Sequence, residues 1–177
     1  MPYRKYLDDY RVEEHVDAKG RTKKRAVYVG GDYILYPAIS TNNKRLILAL
    51  TILLWIPFIA ALFPISAASQ LFYVMLPFIF SAVPLFMMSG AAVSLMWEYE
   101  RMTREKAEKI ANRLPICSVS IAILSGIALI GLIVTALFSD KEMFTGDILF
   151  GSMSVILIAA ASVIFSKCRL IKSRLAD

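Results

Sequence analysis

Four long runs of this chain carry no Asp, Glu, Lys, Arg or His: about residues 46–65, 71–96, 116–138 and 148–165. A helix needs about twenty apolar residues to cross roughly 30 Å of hydrocarbon. Lipid offers no partner to a backbone N–H or C=O, so a spanning run satisfies both by coiling into a helix. The sequence therefore predicts an all-α membrane protein with four transmembrane helices. A soluble bundle is the competing reading, and four spanning lengths without a charge argue against it. A hydrophobic fraction of 58% also exceeds what a soluble core requires. The first 45 residues are charged and aromatic, which is unlike a cleavable signal peptide, so the first run is expected to remain as a helix.

The charges orient these spans. Of 20 Lys and Arg residues, 19 lie in the segment before the first run, between the second and third, or after the fourth; only Lys141 lies elsewhere. Basic residues resist translocation, so both termini and the middle connection are expected to be cytoplasmic. Those parts carry 19 basic and 11 acidic residues, a net +8, and the two outer connections carry one basic and three acidic, a net −2. A positive inner surface suits anionic lipid headgroups. Nucleic acid is not an expected partner, because Asp and Glu interrupt the basic residues.

Two parts follow along the chain. Residues 1–42 form a cytoplasmic segment, and residues 43–177 form the four-helix transmembrane domain. In the first part, partial alternation over 10–16, turn chemistry over 17–20, a second candidate strand over 24–29, Gly30 and Gly31, and a third strand over 33–36 ended by Pro37 predict a small β-meander. Thr41 or Asn42 is expected to cap the first span. Pro57 should bend that span, and Pro77 and Pro84 lie seven apart in the second. The connection 97–115 is rich in helix formers. Glu100 with Arg104 and Glu105 with Lys109 stand in favourable i,i+4 order, so a cytoplasmic helix continuing from span two is expected, with Pro115 in the first turn of span three.

Small residues recur along the helices. Ser118, Ala122 and Gly126 lie four apart in span three, Gly131 and Thr135 extend the series, and Gly90 thins the end of span two. Such faces allow close helix approach, and Gly90, Ser118, Ala122 and Gly126 are the packing candidates. Trp97 and Tyr99 are the expected interfacial anchors. A faint echo relates 91–97 to 159–165 at an offset of 68, and Arg45-Leu46 to Arg113-Leu114 at the same offset. A duplicated two-helix hairpin, with both copies in the same orientation, would produce it.

Chemistry is sparse. The one histidine, His15, has Glu13, Glu14 and Asp17 nearby, but alternation along a strand separates adjacent side chains and no further His or Cys completes a metal site. No nucleophile has a base within reach along the spans, and Gly30-Gly31 lacks the rest of a phosphate loop. Neither catalysis nor a cofactor is expected. Cys117 and Cys168 read as free thiols in a reducing compartment, with Cys168 a conceivable acylation site. Uncharged spans also argue against a proton-coupled pump. The expected function is that of a non-enzymatic multi-pass membrane subunit or scaffold working through helix–helix and cytoplasmic contacts, as a homo-oligomer or with another membrane protein. The alternative is a small oligomeric transporter or channel component for an apolar or lipid-like substrate.

Overall fold

A computed structural model describes residues 8–16, 22–63, 71–97, 102–138 and 145–175. The elements run β1 (Tyr10–Val16), β2 (Thr22–Tyr28), β3 (Tyr33–Tyr36), α1 (Thr41–Ala60), α2 (Phe72–Phe80), α3 (Ala82–Trp97), α4 (Arg104–Phe138), α5 (Thr145–Cys168) and β4 (Lys172–Leu175). Four helical stretches are long and apolar enough to cross a membrane, α2 and α3 together making the second. Only 22–39% of each apolar window is buried inside the chain, so most of the apolar surface faces outward and needs lipid as its solvent. The protein is a multi-span membrane protein.

The spans close into a ring. α1 packs against α3 and α5, and α4 packs against α2, α3 and α5. Consecutive spans are neighbours, and the first also meets the fourth. A file of aromatic rings crosses the middle. Phe86 of α3 stands edge-on to Trp55 of α1, with centroids 4.7 Å apart; Trp55 meets Phe58 at 5.9 Å. Phe58 stacks on Phe78 of α2 at 5.2 Å, and Phe78 reaches Phe150 of α5 at 4.9 Å. Phe78 and Phe150 are fully buried and plug the bundle where the spans converge.

Span two is broken at Ser81. Pro84 has no N–H to offer the carbonyl of Phe80, so the ladder cannot run straight through. The N–H of Ser81 is shared between the carbonyls of Pro77 and Phe78, and the N–H of Leu85 returns to Ser81 O. Pro57, by contrast, lies near the end of α1, which continues as one helix to Ala60. The position preceding α1 is Ser40, with no side-chain cap, so Thr41 and Asn42 lie inside the helix rather than capping it.

Two expectations about the polar segments are corrected. First, the charged stretch from Arg104 onward does not continue α3, since Met102 and Thr103 stand outside both helices. It is the start of α4, a single helix of 35 residues, about 52 Å long at 1.5 Å per residue. That exceeds the hydrocarbon thickness by several turns. Pro115 therefore sits well inside α4, because the helix formers of 104–113 begin the helix eleven residues earlier. Glu105 bonds Lys109 as expected, whereas Arg104 bonds Glu108, and Glu100 lies outside the described residues.

Second, the three N-terminal strands do not form a meander. β1 pairs with β2 in an antiparallel hairpin, Tyr10 opposite Tyr28 and Glu14 opposite Lys24, and its turn over 17–20 lies outside the described residues. β3 leaves that hairpin. The N–H groups of Val29 and Gly30 both bond Asp9 O, which ends the hairpin at its open end. β3 then pairs with the C-terminal strand β4, Tyr33 opposite Leu175 and Tyr36 opposite Lys172. On its other edge, Tyr33 exchanges both backbone hydrogen bonds with Met102, at 2.8 and 3.0 Å.

Candidate functional site

The densest polar construction lies where β2, β3 and the start of α4 meet. Arg104 is the first residue of α4. Its backbone N–H, one of the donors a helix start leaves without an intrahelical partner, bonds Tyr28 Oη at 3.1 Å. Tyr28 Oη in turn donates to Gly31 O at 2.9 Å. The tyrosine ring folds over Gly30 so tightly that a Cβ there would stand 2.6 Å from the hydroxyl, which is why a side chain is excluded at that position.

The Arg104 guanidinium bonds Glu108 at 3.1 Å, stands 3.9 Å from Asp9, and lies 5.9 Å from the centre of the Tyr33 ring. It sits outside the apolar part of α4. Its pKa is raised above the ordinary arginine value, first by the hydrogen bond to Glu108 and then by the field of Tyr33. One residue thus ties together the entry to β1, the ring on β3 and the first turns of α4. On the far edge of the platform, Arg174 of β4 stacks over the Tyr36 ring at 4.4 Å.

Three buried hydroxyls are turned back on their own helices. Thr51 donates to Ile47 O at 2.7 Å, Ser118 to Leu114 O at 2.7 Å, and Ser154 to Phe150 O at 2.9 Å. This return to the preceding turn satisfies a hydroxyl in an apolar setting without another chain or a water. Other polar contacts cross between helices. Trp55 Nε1 donates to Ser89 Oγ at 3.0 Å, and Tyr73 Oη meets Thr135 Oγ1 at 2.7 Å. Among the described residues, no three His, Cys, Asp or Glu side chains come together as a metal site would require. Asp147 is buried in the first turn of α5, where the positive end of the helix dipole suits a carboxylate.

The residues singled out from the sequence fall in different settings. Ser118 is buried and also lies 3.5 Å from Met88 Sδ. Ala122 is half-buried beside it on the α4/α5 seam, where a groove of about 240 Å³ is lined by Ser118, Ala122, Ala161, Ser162 and Phe165. Gly126 and Gly90 meet nothing within 4 Å at the position of a Cβ, so neither makes a close approach inside this chain. The glycines that do are Gly131, 3.1 Å from Val74, and Gly151, 3.2 Å from Leu132. Trp97 ends α3 at 82% exposure, and Tyr99 lies outside the described residues. Cys117 and Cys168 are both free and buried, which hides Cys168 from an acylating enzyme in this fold.

Three features were not read from the sequence. The strand at Lys172–Leu175 is a short basic stretch with no alternation to announce it. Arg104 is paired with Glu100 in the sequence pattern, which gives no sign of its reach to Asp9 and Tyr33. The Trp55–Ser89 bond joins residues 34 apart, a separation that no local pattern encodes. No protein-family model matches this sequence, and neither a curated protein nor a solved structure matches it.

Proposed function

We propose that this protein is a non-enzymatic membrane subunit or scaffold that displays a small platform on the cytoplasmic face and associates with copies of itself or with another membrane protein. The observation that supports it is the double pairing of β3. With β4 on one edge and Met102 on the other, the strand before α1, the strand after α5 and the approach to α4 are joined at one end of the bundle. This is also the end with most of the basic residues, which supports the cytoplasmic assignment. The aromatic file fills the bundle, and the buried Thr51, Ser118 and Ser154 hydroxyls return to their own helices, which suits a structural body better than a conduit. The open surface at Gly126 is the face offered for association.

The test is purification in a mild detergent, followed by mass measurement in native conditions. A discrete oligomer or a stoichiometric partner is expected. A monodisperse monomer with no partner would overturn the reading. Labelling of single cysteines placed before β1 and after β4, in intact cells, tests the orientation: reaction with an impermeant reagent at either end would reverse it.

One observation favours a second reading, a small oligomeric transporter or channel component for an apolar or lipid-like substrate. It is the groove between α3 and α4, which opens sideways rather than through the bundle. Flux of a lipid analogue across liposomes holding the purified protein would support it, and no flux above empty liposomes would reject it.

A further inference from the structure

α3 and α4 do not close on each other along their whole length. A groove of about 430 Å³ runs along the seam, with apolar walls of Val83, Pro84 and Met87 on one side and Ile116 and Leu124 on the other. Asn112 and Arg113 stand at one end of it. Beyond them is a smaller opening, lined by Gly90 and Ser94 of α3 and by Lys106, Lys109 and Arg113 of α4. Arg113 lines both, so the two make one crevice with a cationic mouth and an apolar furrow.

The crevice follows from the residues on each side. Lys106, Lys109, Arg113, Ile116, Ser120 and Leu124 recur at spacings of three and four, which places them on one face of α4. From Arg113 to Leu124 that face runs about 16 Å along the axis. Opposite the cations, α3 offers Gly90, with open space where a Cβ would stand, and the short Ser94. The mouth stays open because the α3 residues that line it, Gly90, Ala91 and Ser94, are all small.

Charge and level together select the occupant. Among the described residues lining the crevice there is no Asp or Glu. Glu105 bonds Lys109 from outside it, and Arg113 faces both openings of the crevice. The cations lie just before the uncharged run of α4 begins, which is the level of lipid headgroups, and the furrow lies in the hydrocarbon. A soluble phosphate would leave the furrow uncovered. A zwitterionic lipid would bring its own cation to a positive mouth.

We propose that the α3/α4 crevice binds an anionic phospholipid, with its phosphate held by Arg113 at the junction and one acyl chain lying along the furrow. Arg113, at the junction, can hold two phosphate oxygens at once. The lipid is a resident ligand, and the inference stands independently of the scaffold reading.

The test uses the full-length protein in mixed micelles, with retained lipid counted by native mass spectrometry. Phosphatidylglycerol is expected to be held in preference to phosphatidylcholine. Arg113→Gln should weaken retention about fivefold, the effect of one basic residue at an anionic membrane surface. Arg45→Gln, which removes a cation at the same end but outside the crevice, should leave it unchanged. Ser120→Phe keeps every cation, fills the furrow, and should also lower retention. Should Arg113→Gln fail to accumulate, Gly90→Leu, which fills the mouth, carries the same expectation. Equal retention of the two lipids would overturn the proposal. So would equal losses from Arg45→Gln and Arg113→Gln, which would mean diffuse surface charge. Displacement of the lipid by inorganic phosphate, with no effect of Ser120→Phe, would mean an ion site and would overturn it as well.

Discussion

Trp55 of α1 donates its indole N–H to Ser89 of α3 across 3.0 Å, and Ser89 passes its own proton to Leu85 O at 2.8 Å. The serine is thus acceptor and donor at once, and α1 is pinned to the second span at the start of the aromatic file. Ser89→Ala leaves the indole N–H without its acceptor in apolar surroundings and should destabilise the protein by about 1 kcal/mol. Trp55→Phe removes the donor together with its need, so adding Ser89→Ala to it should cost little more. Thermal unfolding of both single variants and the double variant in detergent measures the coupling. Additive losses would show that the bond contributes nothing.

The pairing of β3 with β4 predicts a specific cross-link. Leu35 and Ser173 stand opposite each other, and directly opposed antiparallel residues have Cα atoms about 4.5–5.5 Å apart, within disulfide range. Leu35→Cys with Ser173→Cys should therefore form an intramolecular disulfide under mild oxidation, read as a gel shift reversed by reductant. The native thiols are buried and should not compete. Preferential cross-linking of Leu35→Cys to a cysteine in β2 would instead restore the meander.

Two glycines of α4 should respond in opposite ways. Gly131→Leu drives a side chain into Val74, already 3.1 Å from a Cβ at that position, and should cost about 1–3 kcal/mol. Gly126→Ala faces open space and should leave the unfolding temperature unchanged or raise it, since alanine favours helix. If Gly126 lies in an oligomer interface, as proposed, Gly126→Leu should break the oligomer without unfolding the chain. Unfolding temperature and native mass together separate these cases.

Removing the Arg104 guanidinium should loosen the platform and spare the spans. In Arg104→Ala, the amides of Val29 and Gly30, bonded to Asp9 O, and those of Tyr33 and Met102, bonded to each other, should exchange hydrogen faster. Amides in the middle of α4 and α5 should not change. Arg104→Lys should restore protection only partly, because a lysine cannot reproduce the planar fork that meets Glu108 while lying near the Tyr33 ring. Unchanged exchange in all four amides would show that the backbone pairing alone carries the platform.

Four uncharged runs could be read directly as spans because the cost of placing a charge or a bare peptide group in hydrocarbon acts on each run separately. The helix formers of 104–113 were legible for the same local reason. Which span that helix would join was not, since the choice depends on a connection rather than a propensity. Which small residue makes a close contact depends on how the helices turn: Ser118 is buried, Gly126 and Gly90 face open space, and Gly131 meets Val74. The pairing of β3 with β4, the reach of Arg104 to Asp9 and the bond from Trp55 to Ser89 depend on chain folded back over long separations. Such contacts exist only once the spans have closed into a ring, which carries β3, β4 and the start of α4 to the same end.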